Sequence, residues 1–187
     1  MKERFRFCRT PLDGLTVIER LAIADPRGYL ERLFCAEEFS EIGLKQAIAQ
    51  INRTLTRRRG TVRGMHFQHP PHSETKIISC LHGEIYDVSV DLRAGSPTLL
   101  QWHGEILSGE NNISLLIPEG FAHGFQTLSD DCELLYFHSA AYQVHAEGGI
   151  SPFDSLIGIE WPLSVGEISE RDRSHAPLTA GFKGISP

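Results

Sequence analysis

The chain has 187 residues, 41% of them hydrophobic, and a formal charge of −6. That is enough for one domain, 1–187, with a sizeable core; a chain of this length buries roughly 70% of its unfolded surface. The acidic balance argues against a general nucleic-acid binder or a binder of acidic membranes, but leaves room for a local basic pocket.

No apolar run is long enough to span a bilayer. The start, Met1-Lys-Glu-Arg-Phe-Arg, is charged and unlike a signal peptide. Cys8, Cys35, Cys80 and Cys132 lack the short paired spacing of a zinc ribbon or disulfide scaffold, so free thiols in a reducing cytoplasm are expected.

In chain order, Leu15 to Ala24 reads as a strand, Asp25-Pro-Arg-Gly28 as a turn and Tyr29 to Phe34 as a short strand. Ala36 to Ile42 reads as a helix closed by Gly43. Gln46 to Thr54 is extended. Arg57-Arg-Arg-Gly60 is a loop, either solvated or in contact with phosphate.

The next stretch, Gly60-Thr-Val-Arg-Gly-Met-His-Phe-Gln68, is the centre of interest. It reads as a strand bounded by Gly60 and Pro70-Pro71. Strict alternation puts Arg63 and His66 on opposite faces. For both to reach one pocket, the strand must bulge or end near Gly64.

Lys76 to Leu81 and Glu84 to Leu92 are strands flanking a turn at His82-Gly83. In the second, Tyr86, Val88, Val90 and Leu92 share an apolar face; Asp87, Ser89 and Asp91 point towards solvent or a polar cavity. Leu100 to Leu107, Asn112 to Ile117, Phe121 to Leu128 and Cys132 to Ala141 follow as strands, with Pro118-Glu-Gly120 a turn. One helical turn, Val165 to Arg171, precedes a loose tail. Many short strands with turn signals between them indicate a sandwich or barrel.

Nine histidines raise the question of metal. A metal-binding β-helix would show a His-x-His pair, an acidic ligand and a distant third His. The chain has no His-x-His, and Pro70-Pro71 separates His69 from His72. Acid–base chemistry without metal is the alternative. His66 is a candidate base, since imidazole titrates near neutral pH, though a core histidine has the same appearance. Asp172 would hold its second ring nitrogen only if the C-terminal segment folds back over the pocket. Tyr136 is an acid or core filler, Tyr142 packing or a stacking platform, and His123 a ligand-facing donor or a structural hydrogen bond.

Taken together, several stretches resemble the dTDP-4-dehydrorhamnose 3,5-epimerase family. They are Arg63-Gly-Met-His-Phe-Gln68, Lys76, Gly83 to Arg93, Ser96-Pro-Thr98, Ile117 to Phe125, Leu135-Tyr136, Glu147-Gly148 and Ile157-Gly-Ile-Glu-Trp-Pro162. The likeness runs from about Asp25 to about Pro177. It implies an all-β fold: a cupin double-stranded β-helix, or jelly-roll sandwich, with a few short peripheral helices. It implies a homodimer in which strands within 1–60 contribute to dimer contacts, and a C-terminal segment, 150–187, covering the pocket. No cofactor, metal, nucleic acid or membrane is implied.

By position, the resemblance makes His66 the general base, Asp172 its partner, Tyr136 the proton donor on the opposite face and Lys76 the cation beside the substrate's ketone. Arg27, Gln50, Asn52, Arg63, His123, Tyr142, Glu147 and Arg171 fall on substrate-contacting positions, Tyr142 stacking on the nucleotide base. The implied reaction inverts C3 and C5 of a dTDP-linked 4-keto-6-deoxy sugar, on the route to dTDP-L-rhamnose. Arg32, Ala141 and His69-Pro-Pro-His72 depart from the family pattern. The rival readings are a single-site epimerase of another dTDP-, CDP- or GDP-linked deoxysugar, a non-catalytic nucleotide-sugar-binding cupin and a metal-dependent cupin enzyme.

Overall fold

The computed structural model describes residues 3–186; Met1 and Lys2 of the charged start and Pro187 of the tail lie outside them. Thirteen strands run in the order β1 (Phe5–Arg9), β2 (Thr16–Arg20), β3 (Ile23–Asp25), β4 (Gly28–Leu30), β5 (Gln50–Thr56), β6 (Val62–Gln68), β7 (Lys76–His82), β8 (Glu84–Asp91), β9 (Trp102–Ser108), β10 (Ile113–Ile117), β11 (Phe121–Thr127), β12 (Cys132–His138) and β13 (Glu147–Gly149). Two short helices, α1 (Ala36–Ser40) and α2 (Glu170–Arg173), lie outside the sheets.

The strands form a six-stranded sheet, β1-β2-β10-β7-β12-β5, a five-stranded sheet, β13-β6-β11-β8-β9, and the separate hairpin β3-β4. Neighbours pair antiparallel, for instance β12 with β7 and β11 with β8. This is the expected jelly-roll sandwich. Its core joins Ile78, Cys80, Leu115, Ile117 and Leu134 of the first sheet to Ile85, Leu107, Phe121 and Phe125 of the second.

Both sheets are also covered on their outer faces. Ile77, Leu116 and Phe137 pack outward beneath Phe39 of α1, Leu44 and Phe5. Burial on both faces explains why β7 lacks clean polar–apolar alternation. On the other sheet, Val88, Val90 and Leu92 pack under Ile150, Ile157, Trp161, Leu178 and Phe182. The tail is therefore not loose: Ile185 donates its N–H to the Leu92 carbonyl (2.7 Å) and bridges Arg93.

With the apolar face of β8 turned out beneath this segment, its polar face turns in. Asp87, Ser89 and Asp91 are fully buried. Asp91 accepts hydrogen bonds from Arg93 (2.9 and 2.7 Å), Ser96 (2.6 Å) and Thr98 (2.7 Å), which fixes the Ser96-Pro-Thr98 turn. Burial opposes its ionisation, but these donors outweigh burial and hold the carboxyl at about 2. Asp91→Ala, which strands those donors, is expected to cost about 3 kcal/mol in denaturant unfolding. Because the folded value lies below the unfolded one of about 4, the charge-dependent part of this stabilisation is complete above pH about 4 and fades as pH falls towards 2. The stability gap between wild type and variant should narrow over that window.

Three expected boundaries shift. The strand expected over Leu15 to Ala24 breaks at Leu21-Ala22, and the one expected to reach Phe34 ends at Leu30. The expected C-terminal helical turn begins later, at Glu170, where the Ser169 hydroxyl caps it by accepting from the Asp172 N–H (3.0 Å). The three-residue β13 and the N-terminal β1 carry too little pattern to be seen in the sequence.

Candidate active site

The bulge required to bring Arg63 and His66 together is present. His66 pairs with His123 and Arg63 with Phe125, so β6 has one more residue than β11 across this interval. The two strands close on each other here. A Cβ at Gly64 would lie 2.5 Å from the Gly124 Cα, and one at Gly124 would lie 2.7 Å from the Arg63 carbonyl oxygen. Only glycine fits at both positions, and Gly64 also has a φ of +129°.

The bulge opens a cavity of about 210 Å³ at one end of the sandwich, lined from both sheets. Arg63, His66 and His123 come from the five-stranded sheet. Asn52, Lys76, Tyr136 and His138 come from the six-stranded sheet, and Glu74 precedes β7. The rim carries Tyr142, Glu147 and Arg171. Lys76 and Tyr136 point inward because they share a strand face with the core residues Ile78 and Leu134.

The C-terminal segment does fold back. Ile168 bridges Val62 in parallel, and Val62 donates its N–H to the Glu167 carbonyl (2.8 Å). This carries Asp172 behind His66. His66 Nε2–H donates to Asp172 Oδ1 (2.8 Å), while Asp172 Oδ2 accepts the Gly64 N–H (3.0 Å). Burial opposes ionisation of Asp172, yet its hydrogen bonds with His66 and Gly64 hold the carboxyl well below the usual carboxylate range. The ionised carboxylate fixes the imidazole tautomer, leaving Nδ1 with the lone pair. Across the cavity, burial and then the charge of Asp87 push the Tyr136 phenol well above its ordinary range, so it keeps its proton near neutral pH. Lys76 Nζ reaches between the sheets and donates to the His66 carbonyl oxygen (3.2 Å).

His66, Asp172 and His175 offer three ligand atoms within 4.8 Å of one another. Arg171 already brings its cation to this cluster, with Nη2 3.0 Å from His66 Nε2 and Nε donating to Asp172 Oδ1 (3.2 Å). A metal ion would compete with that guanidinium for the same atoms.

Three comparisons bear on this geometry. Residues 9–180 match the family model described as dTDP-4-dehydrorhamnose 3,5-epimerase. The chain belongs to the dTDP-4-dehydrorhamnose 3,5-epimerase family.

A dTDP-4-dehydrorhamnose 3,5-epimerase from Methanothermobacter thermautotrophicus is 43% identical over 177 residues, 93% of this chain and 95% of the relative. The crystal structure of the dTDP-4-dehydrorhamnose 3,5-epimerase of Elizabethkingia anophelis superposes with a TM-score of 0.91 at 32% identity, covering 96% of this chain and 100% of that one. A dTDP-6-deoxy-D-glucose-3,5-epimerase from Legionella pneumophila, solved with dTDP-4-keto-L-rhamnose, gives 0.90 at 34% identity, covering 98% and 99%.

Within this family fold, most of the expected site residues gather at the cavity, with Asp172 directly behind His66. Gln50 stands beside the rim, accepting the Tyr142 N–H (3.0 Å) and donating to Asn52 (3.2 Å). Tyr142 Oη donates to Glu147 (3.0 Å), which also accepts from Arg171 (2.9 Å). Arg27 is elsewhere, at the tip of the β3–β4 hairpin, where it pairs with Asp25 (2.7 Å) and does not line the cavity. Arg32 is also remote, paired with Glu38. The three consecutive arginines form a surface loop. Arg57 and Arg58 pair with Asp131 and Glu167, and Arg59 Nε donates to the Leu128 carbonyl.

Two features were not anticipated. His123 Nε2–H donates to the fully buried Asp87 (2.7 Å), and His138 Nδ1–H donates to Glu74 (2.8 Å). Strand parity could have found His138, which shares its face with Tyr136. Glu74 lies in the irregular segment after Pro70-Pro71 and carries no periodic signal.

Proposed function

We propose that this cavity epimerises dTDP-4-dehydro-6-deoxy-D-glucose at C3 and C5, giving dTDP-4-dehydro-L-rhamnose. The observation that carries the reading is the placement of His66 and Tyr136 on opposite sheets of one cavity, with the Lys76 ammonium reaching into it to the His66 carbonyl. Inversion at carbon needs a base on one face and an acid on the other. Simple binding of a nucleotide sugar needs neither.

The 4-keto group acidifies the protons on C3 and C5. His66 Nδ1 removes one, and ionised Asp172 stabilises the imidazolium that forms. Charge moves to the ketone oxygen, where the Lys76 ammonium stabilises it by roughly 3 kcal/mol. Tyr136 then returns a proton from the opposite sheet. Arg63 and Arg171 suit the diphosphate, because a guanidinium donates two parallel hydrogen bonds. Tyr142, half exposed at the rim, suits stacking on the base.

The same reading includes a homodimer. β5 is an outer edge of its sheet, with Ile51 and Leu55 exposed, and the β3–β4 hairpin exposes Tyr29 and Leu30. An unpaired, partly apolar edge favours pairing with a second copy. Sedimentation at assay concentrations is expected to give twice the chain mass; a monomer would remove this part of the reading. Among the described residues, no helix is long and apolar enough to cross a membrane.

Product analysis by proton NMR tests the function. Incubation with the dTDP-linked 4-keto sugar should invert both centres. Inversion at one carbon would make the enzyme a single-site epimerase, and bound but unchanged sugar would make it a binding module. CDP- and GDP-linked analogues, run in parallel, test the nucleotide.

A further inference from the structure

Three imidazole–carboxylate pairs surround the cavity: His66–Asp172, His123–Asp87 and His138–Glu74. The third has no part in the reaction as described so far, yet it touches the reaction's cation. Glu74 Oε2 accepts from His138 Nδ1–H at 2.8 Å, and Glu74 Oε1 lies 3.3 Å from Lys76 Nζ. All three side chains are nearly closed to solvent, Glu74 at 8% exposure and Lys76 at 9%.

The backbone around Glu74 is pinned to the end of β12. Thr75 donates its N–H to Ser139 Oγ (2.8 Å), and Ser139 returns its own N–H to the Thr75 carbonyl (3.0 Å). Lys76 is paired with His138 in the sheet register. The His138 ring lies parallel to Tyr136, with centroids 6.0 Å apart, and its Nε2 faces the Asn52 amide at 3.4 Å. One carboxylate thus ties the ammonium to an imidazole that stacks on the candidate acid.

We propose that Glu74 is a positioning residue for the epimerisation, aiming the Lys76 ammonium at the ketone oxygen; this rests on the function proposed above. A lysine ammonium on its flexible four-carbon stem needs a fixed anionic partner to hold it at one point. Arg63, a second cation, lines the same cavity and repels the ammonium. Glu74 is the carboxylate that meets Lys76 there, and it remains ionised. Burial opposes this, but the His138 hydrogen bond and the charge of Lys76 hold its carboxyl below the usual range. His138 shares the negative charge, so the ammonium is held without being fully neutralised and can still attract the developing enolate.

The test is Glu74→Gln, which keeps the shape and removes the charge. The expected result is a kcat lower by roughly 10- to 100-fold with KM within about twofold of wild type and an unchanged melting temperature. His138→Gln, which leaves the carboxylate on Lys76, should lower kcat by only about threefold at constant KM. An unchanged kcat in Glu74→Gln, or a rise in KM that accounts for the whole loss, would overturn the proposal. If Glu74→Gln melts below the assay temperature, His138→Gln decides, and a wild-type kcat there is the contrary result. Wild type run alongside separates the two ideas. If it leaves the sugar unchanged, the function itself fails and this inference with it; if it is active and Glu74→Gln equals it, only this inference fails.

Discussion

His66→Ala is expected to lower epimerisation by about 10³- to 10⁴-fold, the upper part of the range for a positioned acid–base group. Incorporation of solvent deuterium at C3 and C5 should disappear with it. Both effects follow from one geometric fact. The His66 imidazole is backed by Asp172, whose low-lying carboxyl keeps its charge throughout the neutral range. Lys76 is an ammonium held by Glu74, and the His123 and His138 rings lie beside Tyr136, with centroids 6.1 and 6.0 Å from it. The variant should bind dTDP almost as wild type does, since Arg63, Arg171 and Tyr142 are untouched. Deuterium exchange that continues at the wild-type rate would mean that another group is the base.

Tyr136→Phe is the second large effect, about 10²- to 10³-fold in epimerisation. Its signature differs from that of His66→Ala. With His66 intact, the proton can still leave and return on the same face, so solvent exchange should outlast inversion. Binding should hardly change, because removing the hydroxyl leaves the ring in its place among Thr54, His123 and His138. The phenol suits this duty because burial and the nearby Asp87 make it reluctant to ionise. An acid that keeps its proton until an enolate forms opposite is what inversion needs. A loss of affinity as large as the loss of rate would make Tyr136 a binding residue instead.

Much of this was legible in the sequence, and specific residues show why. Residues of β8 alternate so regularly that the polar face containing Asp87 and Asp91 could be assigned before its surroundings were known. Gly64, between Arg63 and His66, marks the bulge because nothing larger fits against Gly124. The resemblance supplied the partnership of His66 with Asp172, which lie 106 positions apart. No local pattern could have joined them, since the contact depends on the C-terminal segment returning along β6.

The rest was hidden for equally physical reasons. β13 is three residues long and exists because Glu147, Gly148 and Gly149 meet Gln68, Phe67 and His66 across the sheet. Glu74 sits in irregular backbone, and only the tertiary fold brings it to Lys76 and His138. Arg27 shows the opposite case. It occupies an expected substrate-contacting position but sits on a hairpin, paired with Asp25, and does not line this chain's own cavity.

The most direct test of the central claim is a crystal structure with the dTDP-linked 4-keto sugar, or a non-reacting analogue, in the cavity. The account predicts His66 Nδ1 and Tyr136 Oη on opposite faces of the sugar ring, each within hydrogen-bond reach of C3 or C5, and Lys76 Nζ bonded to the oxygen on C4. A sugar ring with both groups on one face, or a metal ion on His66, would contradict it.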